Sequence, residues 1–373
     1  MKFEKKLDLK FEFSDNFKNL PKKIRNNESI ALQAVKLNGY NLEFLNKNLK
    51  RNLKIISAAL KQNGYALKFI DKKLKKNKNI VYKALKQNSY ALKYADKKIR
   101  IDKKIALKAV KKYCFALKYT EKNVRDDKRI VLEGIKQSGY VLKYASARLK
   151  RDKEVTLKAL KKNVLSILYV SNSLKKNKKF ILKAIKQCGL GTIVDDIHYN
   201  LKKDEDVMKQ AVKQWGMSIQ FAHHILKKNK DIALTAVKQY CNALEHVDDD
   251  LKKNKKIVLE AIKQNGYALQ YADKSLKSDR EYVLELVKVS GNALSYVSSN
   301  LKKDKEIVLE AVKNNGSSLL HADESFKKDK KIVFEAIKNN CYAIQYASKD
   351  LYKDKEILSY LNKRDDYCFK LLF

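Results

Sequence analysis

Residues 254–278 read NKKIVLEAIKQNGYALQYADKSLKS, and the chain repeats this pattern along most of its length. Asn254 offers a short side-chain acceptor, the group that satisfies an orphan backbone N–H at a helix start. Ile257, Val258, Ala261 and Ile262 then fall at i, i+1, i+4 and i+5, one face of a helix. Gly266 is the expected left-handed residue closing that helix. Ala268, Leu269, Tyr271, Ala272 and Leu276 form the apolar face of an expected second helix. Each helix is about eleven residues, too short to stand alone in water.

Working outward, the small residue at Ala261 recurs at Ala34, Ala59, Ala84, Ala109, Gly134, Ala159, Ala184, Ala211, Ala236, Leu286, Ala311 and Ala336. Every step is 25 residues except the 27 from Ala184 to Ala211. Asp or Asn stands seven residues before every anchor, from Asn27 to Asp329, and again at Asp354. Glycine stands five residues after it in eight units: Gly39, Gly64, Gly139, Gly189, Gly216, Gly266, Gly291 and Gly316. Lys or Arg follows the last apolar residue of the second helix in twelve of thirteen units, Tyr352 being the exception. The fold class is therefore all-α, an α-solenoid of about thirteen 25-residue helix-turn-helix repeats whose stability comes from stacking.

The consensus D-K-E-I-V-L-E-A-V-K-x-N-G-x-A-L-x-Y-A-x-x-x-L-K-K resembles the repeat of the uncharacterised domain-of-unknown-function family numbered four-one-one-six. Residues 302–326 are the nearest to it, and the resemblance runs from about residue 25 to 360. It implies a repeat fold and brings no activity, catalytic residue or cofactor. The unit containing GLGTIVDDIHYN, residues 189–200, departs most, and its two extra residues are expected to break the regular stack. The expected organisation is an N-terminal cap at 1–26, a strongly basic half at 27–190, an irregular repeat at 191–204, a near-neutral half at 205–360 and a C-terminal cap at 361–373. Phe3, Leu7, Leu9, Phe11 and Phe13 alternate as in a strand or irregular cap, and YCFKLLF closes the chain.

Composition sets the function class. The 373 residues carry 83 Lys+Arg against 42 Asp+Glu, a net charge of +41. AT-rich codon usage would enrich lysine in both halves alike. The charge is instead polarised: residues 1–190 hold 51 basic and 15 acidic residues, and 191–373 hold 32 and 27. One residue before the anchor, the second half has Glu260, Glu285, Glu310 and Glu335. The first half has Lys83, Lys108, Lys158 and Lys183 there, with Glu133 the exception. Two residues after the anchor every unit has lysine, which suits the negative end of the helix. The two columns are i, i+3 neighbours, so the second half pairs Glu with Lys while the first sets Lys against Lys. On the second helix Lys68, Lys93, Lys118 and Lys143 give way later to Gln220, Glu245, Gln270 and Gln345. These eight lysines are the candidate anion contacts. A solvated lysine surface kept for solubility is the plainer alternative.

Other patterns carry less. Aromatic pairs at i, i+4 (Tyr40/Phe44, Tyr65/Phe69, Tyr90/Tyr94, Phe115/Tyr119, Tyr140/Tyr144) read as packing between units, with base stacking the alternative. His246 and His321 occupy the aromatic column. His223 and His224 are adjacent and should point to different sides of a helix, a poor metal pair. Asp248-Asp249-Asp250 reads as a charged turn. Five scattered cysteines point to a reduced intracellular setting, with Cys114, Cys241 and Cys341 in the glycine column. No apolar run is long enough to span a membrane. No metal-ligand spacing, phosphate loop or nucleophile elbow occurs, so no enzyme, cofactor or small-molecule substrate is expected. The reading is a non-enzymatic scaffold whose basic half binds nucleic-acid backbone without reading bases. The alternative is a scaffold for an acidic protein.

Overall fold

The computed structural model describes residues 16–364. The strand or cap expected in the first residues and the closing YCFKLLF lie outside them. The chain divides into two compact units, with the division between Lys175 and Lys176. It falls inside the stretch read as the basic half, so Lys183 belongs to the second unit. No β-strand occurs among the described residues.

In each unit the repeat has three pieces where the sequence reading had two. In the repeat quoted above, an α-helix runs Lys255–Gln264. A 3-10 helix of six residues follows, Gly266–Tyr271. Ala272 is extended (φ −70°, ψ 158°) and a short helix, Lys274–Ser278, completes the unit. The expected second α-helix is thus a 3-10 helix broken from a single further turn. The cause is competition from short polar side chains. Asn265 accepts the N–H of Tyr267, which ties the entry into a tight turn. Asp273 accepts the N–H of Ser275 and starts a new helix two residues after the break.

The cap column is as expected. Each Asp or Asn from Asn27 to Asp329 accepts a backbone N–H two or three residues on, as does Asp354. The apolar stripes are also as expected: Ile257, Val258, Ala261, Ile262, Ala268, Leu269, Ala272 and Leu276 are all buried. Helix packs on the next helix and 3-10 segment on the next 3-10 segment, so each unit is a two-layer stack.

The glycine column has a different reason from the one expected. Among the described residues Gly189 (φ 68°) is the one glycine with a positive φ. Elsewhere the constraint is space. A Cβ on Gly39 would lie 2.6 Å from the carbonyl oxygen of Ala59, the anchor of the next repeat. Gly64, Gly139, Gly216, Gly291 and Gly316 face the equivalent carbonyls of Ala84, Ala159, Ala236, Ala311 and Ala336.

In the irregular repeat the two extra residues are absorbed locally. Its helix has eleven residues, Lys178–Cys188, and its 3-10 segment seven, Leu190–Asp196. Gly189 closes the longer helix, and Gly191 takes over the packing role, facing the Ala211 carbonyl. Both layers stay in contact with the following repeat.

Two further columns join neighbouring repeats. Gln137 accepts the N–H of Cys114 and donates to the carbonyls of Val110 and Lys111. Gln62, Asn314 and Asn339 make the same clamp on Gly39, Gly291 and Gly316. Where the next cap is an aspartate, the first residue of the helix pairs with it: Lys78–Asp102, Lys103–Asp127 and Lys128–Asp152 in the first unit. In the second unit the pairs are Lys178–Asp204, Lys255–Asp279, Arg280–Asp304, Lys305–Asp329 and Lys330–Asp354. Exposed pairs of this kind contribute under about 1 kcal/mol each.

Candidate nucleic-acid interface

Lysines do three different jobs in this array, and the sequence reading separated only two of them. In four repeats the basic residue that follows the last apolar residue is structural. Lys50, Lys75, Lys277 and Lys302 each reach back seven residues to donate to the carbonyl at the end of the 3-10 segment. Tyr352, the exception in that column, donates through its hydroxyl to the same carbonyl, that of Gln345. Burial holds the Lys75 ammonium below the usual lysine range, and neighbouring Lys72 and Lys68 push it the same way.

The candidate contacts lie on the outside. All eight are exposed, but they do not form one ladder. Lys68, Lys93, Lys118 and Lys143 sit on the 3-10 layer of four successive repeats. Lys83, Lys108 and Lys158 sit on the helix layer of the first unit, and Lys183 on a helix of the second.

The 3-10 layer of the first unit combines charge with rings. Lys68 lies 5.1 Å from the ring of Phe69, Lys93 5.6 Å from Tyr94 and Lys118 5.8 Å from Tyr119. Lys143 lies 5.8 Å from Tyr169. The i, i+4 aromatic pairs do not meet within a repeat, because a 3-10 turn does not put those positions on one face. The rings meet between repeats, 29 residues apart: Tyr40–Phe69, Tyr65–Tyr94, Tyr90–Tyr119, Phe115–Tyr144 and Tyr140–Tyr169, with centroids 5.7–6.3 Å apart. Packing between units is therefore their structural role. The rings remain half-exposed, and Tyr40 is 42% exposed.

The lysine column ends at Leu168, inside the first unit, and does not return in the second. Gln220, Glu245, Gln270, Ser295, Leu320 and Gln345 replace the lysines. Met217, Asn242, Asn292 and Ser317 interrupt the first ring column, while Phe221, Tyr271, Tyr296 and Tyr346 keep most of the second, and Tyr267 packs on Tyr296. A third column, on the short helix, was missed by the sequence reading. Lys72, Lys73, Lys97, Lys98 and Lys122 of the first unit are exposed, and exposed acids such as Asp249, Asp250 and Glu324 occupy matching repeat positions in the second. The signal was present in the same halves comparison, but the break at Ala95 that starts this helix was not foreseen.

On the helix layer the second unit pairs its charges as expected: Glu260–Lys263, Glu310–Lys313 and Glu335–Lys338. Glu133–Lys136 does so in the first. The lysine–lysine facing of the first unit is relieved. Lys83 donates to Ser57, Lys108 lies 4.6 Å from the Tyr82 ring, and Lys158 pairs with Glu154.

No His, Cys, Asp and Glu cluster among the described residues has the arrangement of a metal site. His223 and His224, expected on different sides of a helix, have ring centroids 4.1 Å apart. His223 is the extended residue before the short helix, so the helical rotation does not separate them. Burial holds His246 and His321 below the usual histidine range. Asp248 caps the turn that carries Asp249 and Asp250. Cys114 and Cys241 are buried free thiols, Cys188 is a half-buried thiol, and Cys341 takes part in a disulfide. No helix among the described residues is long and apolar enough to cross a membrane.

The model of the Domain of unknown function (DUF4116) family matches residues 11–50, 52–100, 102–150, 152–202, 204–252, 254–302, 304–352 and 329–372. The chain belongs to this family. The matched unit of DUF4116 is about two 25-residue repeats long, and seven of its segments begin at a helix cap such as Asn52 or Asp102. No curated protein and no solved structure matches the chain. Membership in DUF4116 thus establishes the repeat and leaves the surface to be read from its chemistry.

Proposed function

We propose that this chain is a non-enzymatic repeat scaffold whose first unit binds nucleic-acid backbone without reading sequence. One observation carries the reading. On the 3-10 layer of the first unit, lysines stand beside half-exposed rings in four successive repeats, and no lysine stands at the matching positions Gln220, Glu245, Gln270, Ser295, Leu320 and Gln345 of the second. Residues 1–175 hold 46 Lys+Arg against 15 Asp+Glu, and 176–373 hold 37 against 27. Ammonium groups beside half-exposed rings offer charge to phosphates, and Tyr94, Tyr119 and Tyr169 add hydroxyl donors. No pair of side chains varies from repeat to repeat as a base code would need.

The test is anisotropy of labelled DNA and RNA, single- and double-stranded, at two salt concentrations, with polyglutamate as competitor. All nucleic acids should bind, with affinity falling steeply as salt rises, by about 0.9 log units per log unit of salt for each phosphate neutralised on a duplex. Replacing Lys68, Lys93, Lys118 and Lys143 by Gln should weaken every probe together and flatten that slope. A variant that keeps the parent's affinity and slope rejects the site. Binding of polyglutamate alone favours the acidic-protein partner instead.

A further inference from the structure

The helix layer of the first unit carries a second concentration of uncompensated charge. Ser57, Lys61, Lys83, Lys86 and Gln87 line a shallow cleft between helices Leu53–Gln62 and Lys78–Gln87. Lys83 Nζ lies 2.9 Å from Ser57 Oγ, so its ammonium is held at the cleft, and no carboxylate lines it. The matching cleft of the second unit lies between Lys305–Asn314 and Lys330–Asn339. There Glu335 stands where Lys83 does, and Glu356 also lines the wall. The same packing therefore accepts either sign at this position, so stability does not require the lysine. Lys108 beside Lys111 repeats the arrangement; at Lys158 the neighbouring Glu154 weakens it.

This cleft and the 3-10 ladder look away from each other. The helices bury Ile55, Ile56, Ala59 and Leu60 against the 3-10 layer, and that layer buries Ala66 and Leu67 in return. Packed elements sit about 8–10 Å apart, so two layers of backbone separate the two sets of ammonium groups. A backbone lying along one set cannot touch the other.

We infer that the first unit holds two nucleic-acid segments at once, one on each layer, and so bridges them. This rests on the backbone-binding reading above. The experiment mixes donor-labelled and acceptor-labelled duplexes with the full chain over a range of ratios, following anisotropy and energy transfer together. Transfer should peak near one protein per two duplexes and decline as excess protein separates them. Two variants assign the faces: Lys68, Lys93, Lys118 and Lys143→Gln, and Lys83, Lys108 and Lys158→Glu, with a Gln version of the second as a folding control by circular dichroism. Each should still bind one duplex, and each should lose transfer. Binding without transfer at any ratio overturns bridging and leaves the single-face reading standing. Transfer that survives in either variant means self-association and also overturns it. If no duplex binds at all, the backbone reading fails with it.

Discussion

Gln137 accepts the backbone N–H of Cys114 at 3.1 Å, 23 residues away in the chain, and with its amide nitrogen donates to the Val110 carbonyl at 2.8 Å. One side chain thus serves both the last turn of the preceding helix and the first donor of its 3-10 segment. Gln137→Leu keeps the bulk and removes both partners, leaving a half-buried N–H and a carbonyl unmet. The expected loss is about 1–3 kcal/mol, measured by urea unfolding. Hydrogen exchange should quicken first at Cys114; uniform exchange across the repeat would show that the clamp is not local.

Gly189 and Gly191 separate two reasons for glycine within one repeat. Gly189 has a φ of 68° and nothing within 4 Å of a Cβ, so only backbone strain opposes a side chain. Gly189→Ala should cost about 1–2 kcal/mol, the left-handed penalty, and Gly189→Asn clearly less. Gly191→Ala instead presses on the Ala211 carbonyl, 3.0 Å away, and on Trp215. Asn at 191 should therefore be worse than Ala there, the reverse of the order at 189. Thermal melts of the four variants decide it; the same order at both sites would sink the distinction.

The repeat period, the cap column and the buried stripe were legible because each is a local rule repeated thirteen times. Asn254 caps whatever its neighbours do. The 3-10 segment was not legible, because Ala268, Leu269 and Ala272 bury equally well in either helix. What decides it is the turn at Asn265 and the cap at Asp273, both of which compete with the backbone for its donors. The glycine column was placed correctly and explained wrongly: its partner, such as Ala59 for Gly39, lies in the next repeat and leaves no trace in local spacing. The candidate lysines were legible as columns. Their division between two layers was not, since a column number does not say which layer it belongs to.

Asp304 joins a cap to an ion pair. The Arg280 guanidinium, 2.7 Å away, holds its carboxyl below the usual aspartate range, and the N–H groups of Ile307 and Glu306 act the same way. Lys255 does this for Asp279, and Lys330 for Asp354. A depressed folded pKa stabilises the fold above the unfolded aspartate pKa of about 3.9, and that stability is lost as pH falls through the folded value. Asp304→Asn keeps the cap, as Asn254 does, and removes the titration. Between pH 6 and pH 3 the parent should lose more melting temperature than the variant, and the two should converge at the acid end. Parallel losses would mean the pair is too exposed to matter.

Lys68 and Lys75 are seven residues apart on one face, and they should respond oppositely to substitution. The half-buried Lys75 ammonium donates to the Lys68 carbonyl at 2.6 Å, closing the end of a 3-10 segment. The Lys68 side chain points out beside the Phe69 ring. Lys75→Met retains the buried stem and drops the donor, so it should lower stability by about 1 kcal/mol. One phosphate contact at most goes with it. Lys68→Met should leave the melt within about 0.5 kcal/mol of the parent, as surface changes do. It should weaken binding to every nucleic acid alike and shorten the salt slope by about one unit. The two residues share a neighbourhood and a charge, so general electrostatics cannot separate them. If both variants lose affinity equally with unchanged stability, the lysines act only as diffuse charge. If Lys68→Met destabilises and binding is unmoved, the outer column is structural too, and the proposed interface loses its central residues.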